Sequence, residues 1–151
     1  MKSPRFIILA AALLCAATIP TPAQESGYWR ADSNTAKTIT GDIAFSDTRL
    51  TINLTSFTLS RIRDLTAAEA LALFNTDATG QGHLFRISIP GDKRFLHKNT
   101  LCGTENTDWA ITYISGHTLQ VSFFTGPAIP TLTVDALNDS PRICGTYTYS
   151  R

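Results

Sequence analysis

Apolar residues recur at every second position along much of this chain, and this alternation constrains the fold more than any other feature. It is clearest over residues 85–89, 109–113 and 119–123, and residues 115–117 supply a tight turn between the last two runs. A strand that packs one face on a core and exposes the other produces this period, and short connections between such runs are typical of antiparallel sheets. The chain is therefore predicted to form an all-β domain.

A change of parity marks the region around residue 55. Leu50, Ile52 and Leu54 occupy alternate positions, after which the apolar positions shift to Phe57 and Leu59. One extra residue in a strand has this effect. The pattern predicts a β-bulge near residues 55–56 and places Leu54 in the apolar set of the strand.

One short helix is predicted within the strand pattern, near residues 67–74. Thr66 and Glu69 have the spacing of a capping box, in which each side chain binds the backbone amide of the other residue. A helix of about two turns persists only by packing on other elements. We expect it to cover one mouth or one edge of the sheet.

Residues 1–23 have the three parts of an export signal. Two basic residues precede an apolar run over residues 6–17, and small residues before the polar stretch favour cleavage after Ala23. The apolar run is shorter than the about 20 residues that a membrane span needs, and no later segment reaches that length. We expect a single β-domain over residues 24–151, periplasmic or secreted, with no transmembrane segment in the mature chain.

Cys102 and Cys144 are the cysteines of the expected mature chain, because Cys15 leaves with the signal. Two cysteines in an oxidising compartment have one possible connectivity, so a disulfide between them is predicted. A reactive thiol pair and a pair of metal ligands are the alternatives, although neither cysteine belongs to a Cys-x-x-Cys motif.

Strands at short spacing, one helix and a disulfide favour a small antiparallel β-barrel of lipocalin-like size. Closure of the sheet removes exposed edges, which otherwise pair with other chains. A β-sandwich is the alternative that the pattern leaves open.

Removal of the signal takes away Lys2 and Arg5, so the formal net charge falls by two, from +1 to −1. Nucleic-acid-binding domains carry concentrated positive charge, and this balance argues against a nucleic-acid partner. Positive charge is dense in one segment only, where four basic residues face one carboxylate: Arg86, Lys93, Arg94, Lys98 and Asp92. The segment is either a solvated hairpin end or a patch for an anion or an acidic partner.

Motifs of catalysis and cofactor binding give no positive indication. The sequence contains no nucleophile elbow, zinc-protease motif, phosphate loop or EF-hand loop, and it implies no cofactor and no metal. His83, His97 and His117 are too scattered for ligands on one element, so we interpret them as surface or loop-end residues. Tyr28 and Trp29 form an aromatic pair near the expected mature start, where core packing and a ligand contact at a barrel mouth are both open.

Four segments resemble a group of small, uncharacterised exported proteins of Gram-negative bacteria. They cover residues 35–43, 99–103, 119–126 and 144–149, and the likeness spans most of the mature chain. The resemblance implies a bacterial periplasmic setting and agrees with a single disulfide. The group carries no established activity, so the resemblance transfers no functional residue.

Two hypotheses of function follow. The preferred one is a non-catalytic binding module that holds an unknown small ligand, an envelope polymer or a protein partner, because catalytic signatures are missing from the sequence. Its candidate contacts are Tyr28, Trp29, Lys93, Arg94, His97 and Lys98. The alternative is a hydrolase whose unrecognised site uses a histidine with nearby aspartates.

Overall fold

The computed structural model describes residues 25–76 and 79–151, and these form nine strands and two short α-helices. The strands are β1 (Gly27–Ala31), β2 (Ile43–Ser46), β3 (Arg49–Ile52), β4 (Thr55–Thr58), β5 (Ser60–Asp64), β6 (Gln81–Ile89), β7 (Thr107–Ser115), β8 (Thr118–Phe124) and β9 (Ile143–Ser150). The helices are α1 (Ala67–Phe74) and α2 (Val134–Asn138), with a π-helical turn at Ala36–Thr40 and a 3-10 turn at Leu96–Lys98.

All nine strands belong to one antiparallel sheet, in the order β4-β3-β2-β1-β9-β8-β7-β6-β5. The first residues of β1 pair with β2, where Trp29 lies opposite Ile43. Its last residues pair with β9, where Ala31 lies opposite Tyr149. Ser115 pairs with Thr118, so β7 and β8 are joined by a two-residue turn, as the alternation predicted. The prediction of an all-β domain is confirmed.

The sheet is not closed into a barrel, and the expectation of a closed barrel is wrong. Its edge strands are β4 and β5, which Leu59 alone separates along the chain. Two segments that follow each other without a reversal cannot pair as antiparallel neighbours. The chain instead bends at the buried Leu59, so that β4 pairs with β3 and β5 pairs with β6. The two edge strands are therefore close to each other, but no strand ladder joins them. The strands also do not divide into the two sheets of a sandwich.

The inner face of the curled sheet is a packed apolar core. Its largest side chains are fully buried and come from β1, β8 and β9: Trp29, Phe123, Tyr147 and Tyr149. The rings of Phe123 and Tyr147 pack edge to face, with 5.3 Å between their centroids. Such rings fill the space that a lipocalin-like barrel would leave for a ligand.

A second apolar cluster lies on the other face of β6 and β7, where α1 and α2 cover the sheet. The predicted helix and its capping box are confirmed, because the Thr66 hydroxyl accepts from the Glu69 amide and the Glu69 carboxylate accepts from the Thr66 amide. Phe74 at the end of α1 stacks on Tyr113 with 5.9 Å between ring centroids. This packing holds a helix that is too short to persist alone.

The predicted disulfide is confirmed, since Cys102 and Cys144 are bonded to each other. Cys102 lies in the connection between β6 and β7, and Cys144 lies in β9. The bridge therefore ties the long connection between β6 and β7 to a strand in the middle of the sheet.

The predicted export signal over residues 1–23 lies outside the described residues, and its cleavage stays a prediction. Of the helices in residues 25–76 and 79–151, none has the length and apolar character that crossing a bilayer requires.

Candidate functional site

The turn between β3 and β4 carries the most exposed large apolar side chain of the described residues. Ile52 pairs with Thr55, so Asn53 and Leu54 form a two-residue turn, and both have positive φ, 46° and 64°. These signs define a type I′ turn, which ordinarily takes Gly at its second central position. The left-handed conformation costs a residue with a Cβ about 1–2 kcal/mol. Leu54 adopts it while 98% exposed.

This turn takes the place of the β-bulge predicted near residues 55–56. The apolar parity changes because the chain reverses between β3 and β4, and each strand keeps its own alternation. The grouping of Leu54 with the buried residues is therefore wrong. Asn53 was the available signal, since Asn is favoured at the first central position of a type I′ turn.

A second turn with two left-handed residues lies between β6 and β7. His97 and Lys98 have φ of 53° and 64°, and the Asn99 amide donates to the Leu96 carbonyl at 3.0 Å across them. The Thr38 carbonyl holds this turn, because it accepts from His97 Nδ1 and Asn99 Nδ2, each at 3.1 Å. Strained backbone of this kind clusters at functional sites, where the surrounding structure keeps it in place.

The two turns flank an open groove of about 300 Å³, which we call the turn groove. It is lined by Tyr28, Thr40, Gly41, Asp42, Thr51, Asn53, Leu54 and Leu96. Tyr28 is 60% exposed there. The fold thus brings Tyr28 beside the basic segment over residues 93–98, and these are two of the contact regions proposed from the sequence.

Three lysines lie on the segments that supply the groove lining, each within three residues of a lining residue, and the lining itself contains no basic side chain. Lys93 Nζ donates to Thr55 Oγ1 at 3.0 Å, directly after Leu54 in the chain. Lys98 is exposed in the second turn. Lys37 is exposed on the π-helical turn, directly before Thr38, whose carbonyl holds the second turn. Basic side chains therefore lie close to the groove along the chain, while the lining itself carries the apolar Leu54 and one carboxylate, that of Asp42.

One carboxylate, that of Asp42, lies in the floor of the turn groove. It accepts a hydrogen bond from the Tyr28 hydroxyl and, at 2.8 Å, one from the Ala31 amide. The bond from Tyr28, followed by that from Ala31, lowers the pKa of Asp42 below its ordinary value. Both carboxylate oxygens are thus engaged by the protein itself.

Trp29 and Arg94, which the sequence also proposes as contacts, make bonds within the protein. Trp29 is fully buried, and its Nε1 donates to the Glu25 carbonyl at 2.6 Å. Arg94 is exposed, and its Nη1 donates to the Gly91 carbonyl at 3.2 Å. Of the proposed contacts, Tyr28 lines the turn groove, His97 and Lys98 follow the lining residue Leu96 in the second turn, and Lys93 contacts Thr55.

The connection over residues 90–106 presents the second turn from a fixed base. Phe95 and Leu101 are each 5% exposed and belong to the core, and the Phe95 ring packs on Phe57 of β4 with 6.1 Å between centroids. The disulfide at Cys102 holds the same connection to β9. Connections of this length are often functional, and this one is anchored on both sides of its exposed turn.

A second cleft, of about 490 Å³, lies between β5, α1 and the start of β6. His83 lines it and is 4% exposed, with its Nδ1 hydrogen-bonded to Glu25 Oε1. The Thr112 hydroxyl donates to the same oxygen at 2.6 Å. On the other side of the ring, Asp64 Oδ1 lies 3.9 Å from His83 Nε2 and 2.6 Å from Arg61 Nη2.

This cluster gathers one histidine and two carboxylates that no sequence pattern links, since Glu25 and His83 are 58 residues apart. Burial opposes the charge of Glu25, but the hydrogen bonds from His83 and Thr112 outweigh it and lower the pKa of Glu25. A carboxylate that fixes Nδ1–H leaves Nε2 to act on a bound molecule. His97 and His117 lie in separate turns. Within the described residues, His, Cys, Asp and Glu form no group of three suited to a metal ion.

Comparison of this chain with family models, curated proteins and solved structures gives no match.

Proposed function

We propose that this protein is an exported, non-catalytic binding domain of the bacterial envelope that holds its partner at the turn groove. The observation that carries the proposal is Leu54, an apolar side chain that is 98% exposed on a left-handed backbone. Glycine at this position would relieve the strain and would remove no core contact. A residue that lowers the stability of its own fold and faces solvent is best explained by a contact outside the fold.

The charge around the turn groove indicates the class of partner. Lys37, Lys93 and Lys98 lie on the segments that supply the groove lining, and the one lining carboxylate, that of Asp42, already accepts bonds from Tyr28 and a backbone amide. Basic side chains close to an apolar tip suit a partner that carries negative charge beside apolar surface. Small anions, anionic polymers and acidic proteins of the envelope belong to this class.

Three observations support the proposed envelope location. A disulfide such as Cys102–Cys144 persists in oxidising compartments. Residues 1–23 have the pattern of an export signal, and the chain resembles small exported proteins of Gram-negative bacteria.

Replacing Leu54 by glycine separates folding from binding. The L54G variant should be about 0.5–1 kcal/mol more stable than the natural protein, because the relieved strain exceeds the greater chain entropy of glycine in the unfolded state. The same variant should bind its partner about tenfold more weakly, because it loses one buried leucine side chain at the contact. Urea unfolding measures the first effect, and retention from separated lipid, polymer and protein fractions of the envelope measures the second.

The matched control is I129S, which removes an apolar side chain that is 52% exposed and lies outside the turn groove. It should retain full binding. Equal retention by the natural protein and L54G would contradict the role of the groove, and a less stable L54G would contradict the strain argument.

The His83 cleft favours a second candidate, the hydrolase. The observation behind it is the contact of Glu25 with Nδ1, which leaves Nε2 beside a cleft of about 490 Å³. The hydroxyls in the lining are engaged, since Thr66 caps α1 and Tyr113 accepts from the Gly80 amide at 2.7 Å. The nucleophile in such a site would be water activated by His83.

Hydrolysis of a panel of activated esters and phosphodiesters tests this second candidate. If the protein is a hydrolase, it should turn over at least one of these compounds. The turnover rate should fall at least about 100-fold in H83Q and stay unchanged in H117Q, because His117 lies in the exposed β7–β8 turn. Equal rates for the two variants would eliminate His83 as a catalytic base.

A further inference from the structure

We infer that the partner of the turn groove is the surface of an anionic lipid bilayer, an inference that rests on the proposed function. Three features of this end of the molecule support a membrane over a soluble partner. They are the projecting leucine, the exposed tyrosine of the same groove and the lysines on the neighbouring segments.

Leu54 has the position of an insertion residue. It is at the tip of the β3–β4 hairpin and is 98% exposed, so the rest of the domain does not cover it from any side. The interfacial region of a bilayer accepts an apolar side chain without a preformed pocket, and the gain scales with the apolar area removed from water. A protein partner would need a cavity matched to this one side chain.

Tyr28 has the position of an interfacial anchor. Its side chain lines the turn groove at 60% exposure, and its hydroxyl donates to Asp42. Tyrosines are enriched at the level of lipid headgroups, where an apolar ring and a polar hydroxyl both find suitable surroundings. In this arrangement the hydroxyl already has a partner, which leaves the ring as the free surface.

The lysines supply attraction to anionic headgroups. Lys93 is held beside the hairpin by its bond to Thr55, and Lys37 and Lys98 are exposed on the turns that supply Thr40 and Leu96 to the groove lining. Each cation close to an anionic membrane strengthens binding by about fivefold at physiological ionic strength. Asp42 is the acidic side chain in the groove lining, and both of its oxygens already accept bonds, from the Tyr28 hydroxyl and the Ala31 amide.

The small apolar surface at the turn groove also fits a membrane better than a protein by area. A stable protein interface buries about 800 Å² on each partner and has a desolvated centre. Here the apolar surface consists of Leu54, Tyr28 and the half-buried Leu96 around a groove of about 300 Å³. Weak and reversible binding to a lipid surface needs no more than this.

Flotation with lipid vesicles tests the inference on the full mature protein. Vesicles of equal parts phosphatidylglycerol and phosphatidylcholine should carry the protein upward, whereas phosphatidylcholine alone should not, and high salt should weaken the binding. L54G should bind about tenfold more weakly, and K98G, which keeps the left-handed turn, about fivefold more weakly. The expected increase in stability of L54G means that its loss of binding cannot be ascribed to unfolding.

Two controls separate a specific surface from general charge. R49Q removes an exposed cation at the opposite end of β3, and I129S removes an exposed apolar side chain elsewhere, so both should bind like the natural protein. No flotation with the anionic vesicles at low salt, or equal flotation of L54G and the natural protein, would overturn the lipid inference.

The same proteins distinguish this failure from failure of the proposed function. Leu54-dependent retention on a polymer or protein fraction, with vesicles left unbound, overturns the lipid surface and keeps the turn groove as a binding site. Loss of Leu54 dependence in every fraction overturns both.

Discussion

Reduction of the Cys102–Cys144 bridge should lower the free energy of unfolding by about 4 kcal/mol. The bridge spans 42 residues, and closing a loop of that length removes this amount of conformational freedom from the unfolded chain in the entropy model. This loss is a large part of the free energy of unfolding of a typical domain, which is roughly 5–15 kcal/mol. Urea unfolding of oxidised and reduced protein at the same pH measures it.

The double variant C102S/C144S is the control for reagent effects, since it should unfold at the midpoint of the reduced protein whether or not reductant is present. Equal midpoints for oxidised and reduced protein would contradict a stabilising role for the bridge. The bridge also anchors the connection that carries His97 and Lys98. Binding at the turn groove is therefore expected to weaken in the reduced protein while the sheet is still folded.

Replacing Glu25 by alanine should destabilise the fold by about 3 kcal/mol. The Glu25 side chain is 11% exposed and accepts from His83 Nδ1 and from the Thr112 hydroxyl. Its removal leaves two buried polar groups without their partner, and breaking a buried pair in this way is among the most costly single changes. Urea unfolding at pH 7 measures the effect, and E105Q, at an exposed carboxylate, is a control that should change little.

The contribution of Glu25 should also depend on pH, with a definite sign. Because the folded-state pKa of Glu25 is lower than its ordinary value, its contribution is fully present above the unfolded-state pKa, about 4.3. It is lost as the pH falls through the lower, folded-state pKa. E25Q keeps the size of the side chain and removes this titration. Below about pH 4, its free energy of unfolding should therefore fall less steeply than that of the natural protein, and the difference is the part of the pH dependence that Glu25 contributes. Parallel curves for the two proteins would contradict the assignment.

Local chemistry made much of the fold predictable. The strands β6, β7 and β8 were predictable from the alternation of their side chains, although apolar clusters cover both faces of these strands, and α1 follows from a capping box whose two bonds lie within four residues. The disulfide was predictable because the expected mature chain offers two cysteines and one pairing. Each of these signals is complete within a short segment or within a count.

The features that were missed depend on contacts between distant segments. The bend at Leu59 exists because β4 pairs with β3 and β5 pairs with β6, and the sequence around it does not state which partners these strands take. The pair of Glu25 and His83 joins the start of the described chain to β6. The reversal at Leu54 was confused with a bulge, because both change the parity of apolar residues in the same way.

The filled interior of the sheet determines what size of partner the domain can recognise. A hollow barrel admits molecules up to the volume of its chamber, but Trp29, Phe123, Tyr147 and Tyr149 occupy that volume here. A groove on the outside, bounded by two rigid turns, sets no upper limit. The domain can therefore contact one small part of a structure far larger than itself, and many copies can occupy such a structure side by side.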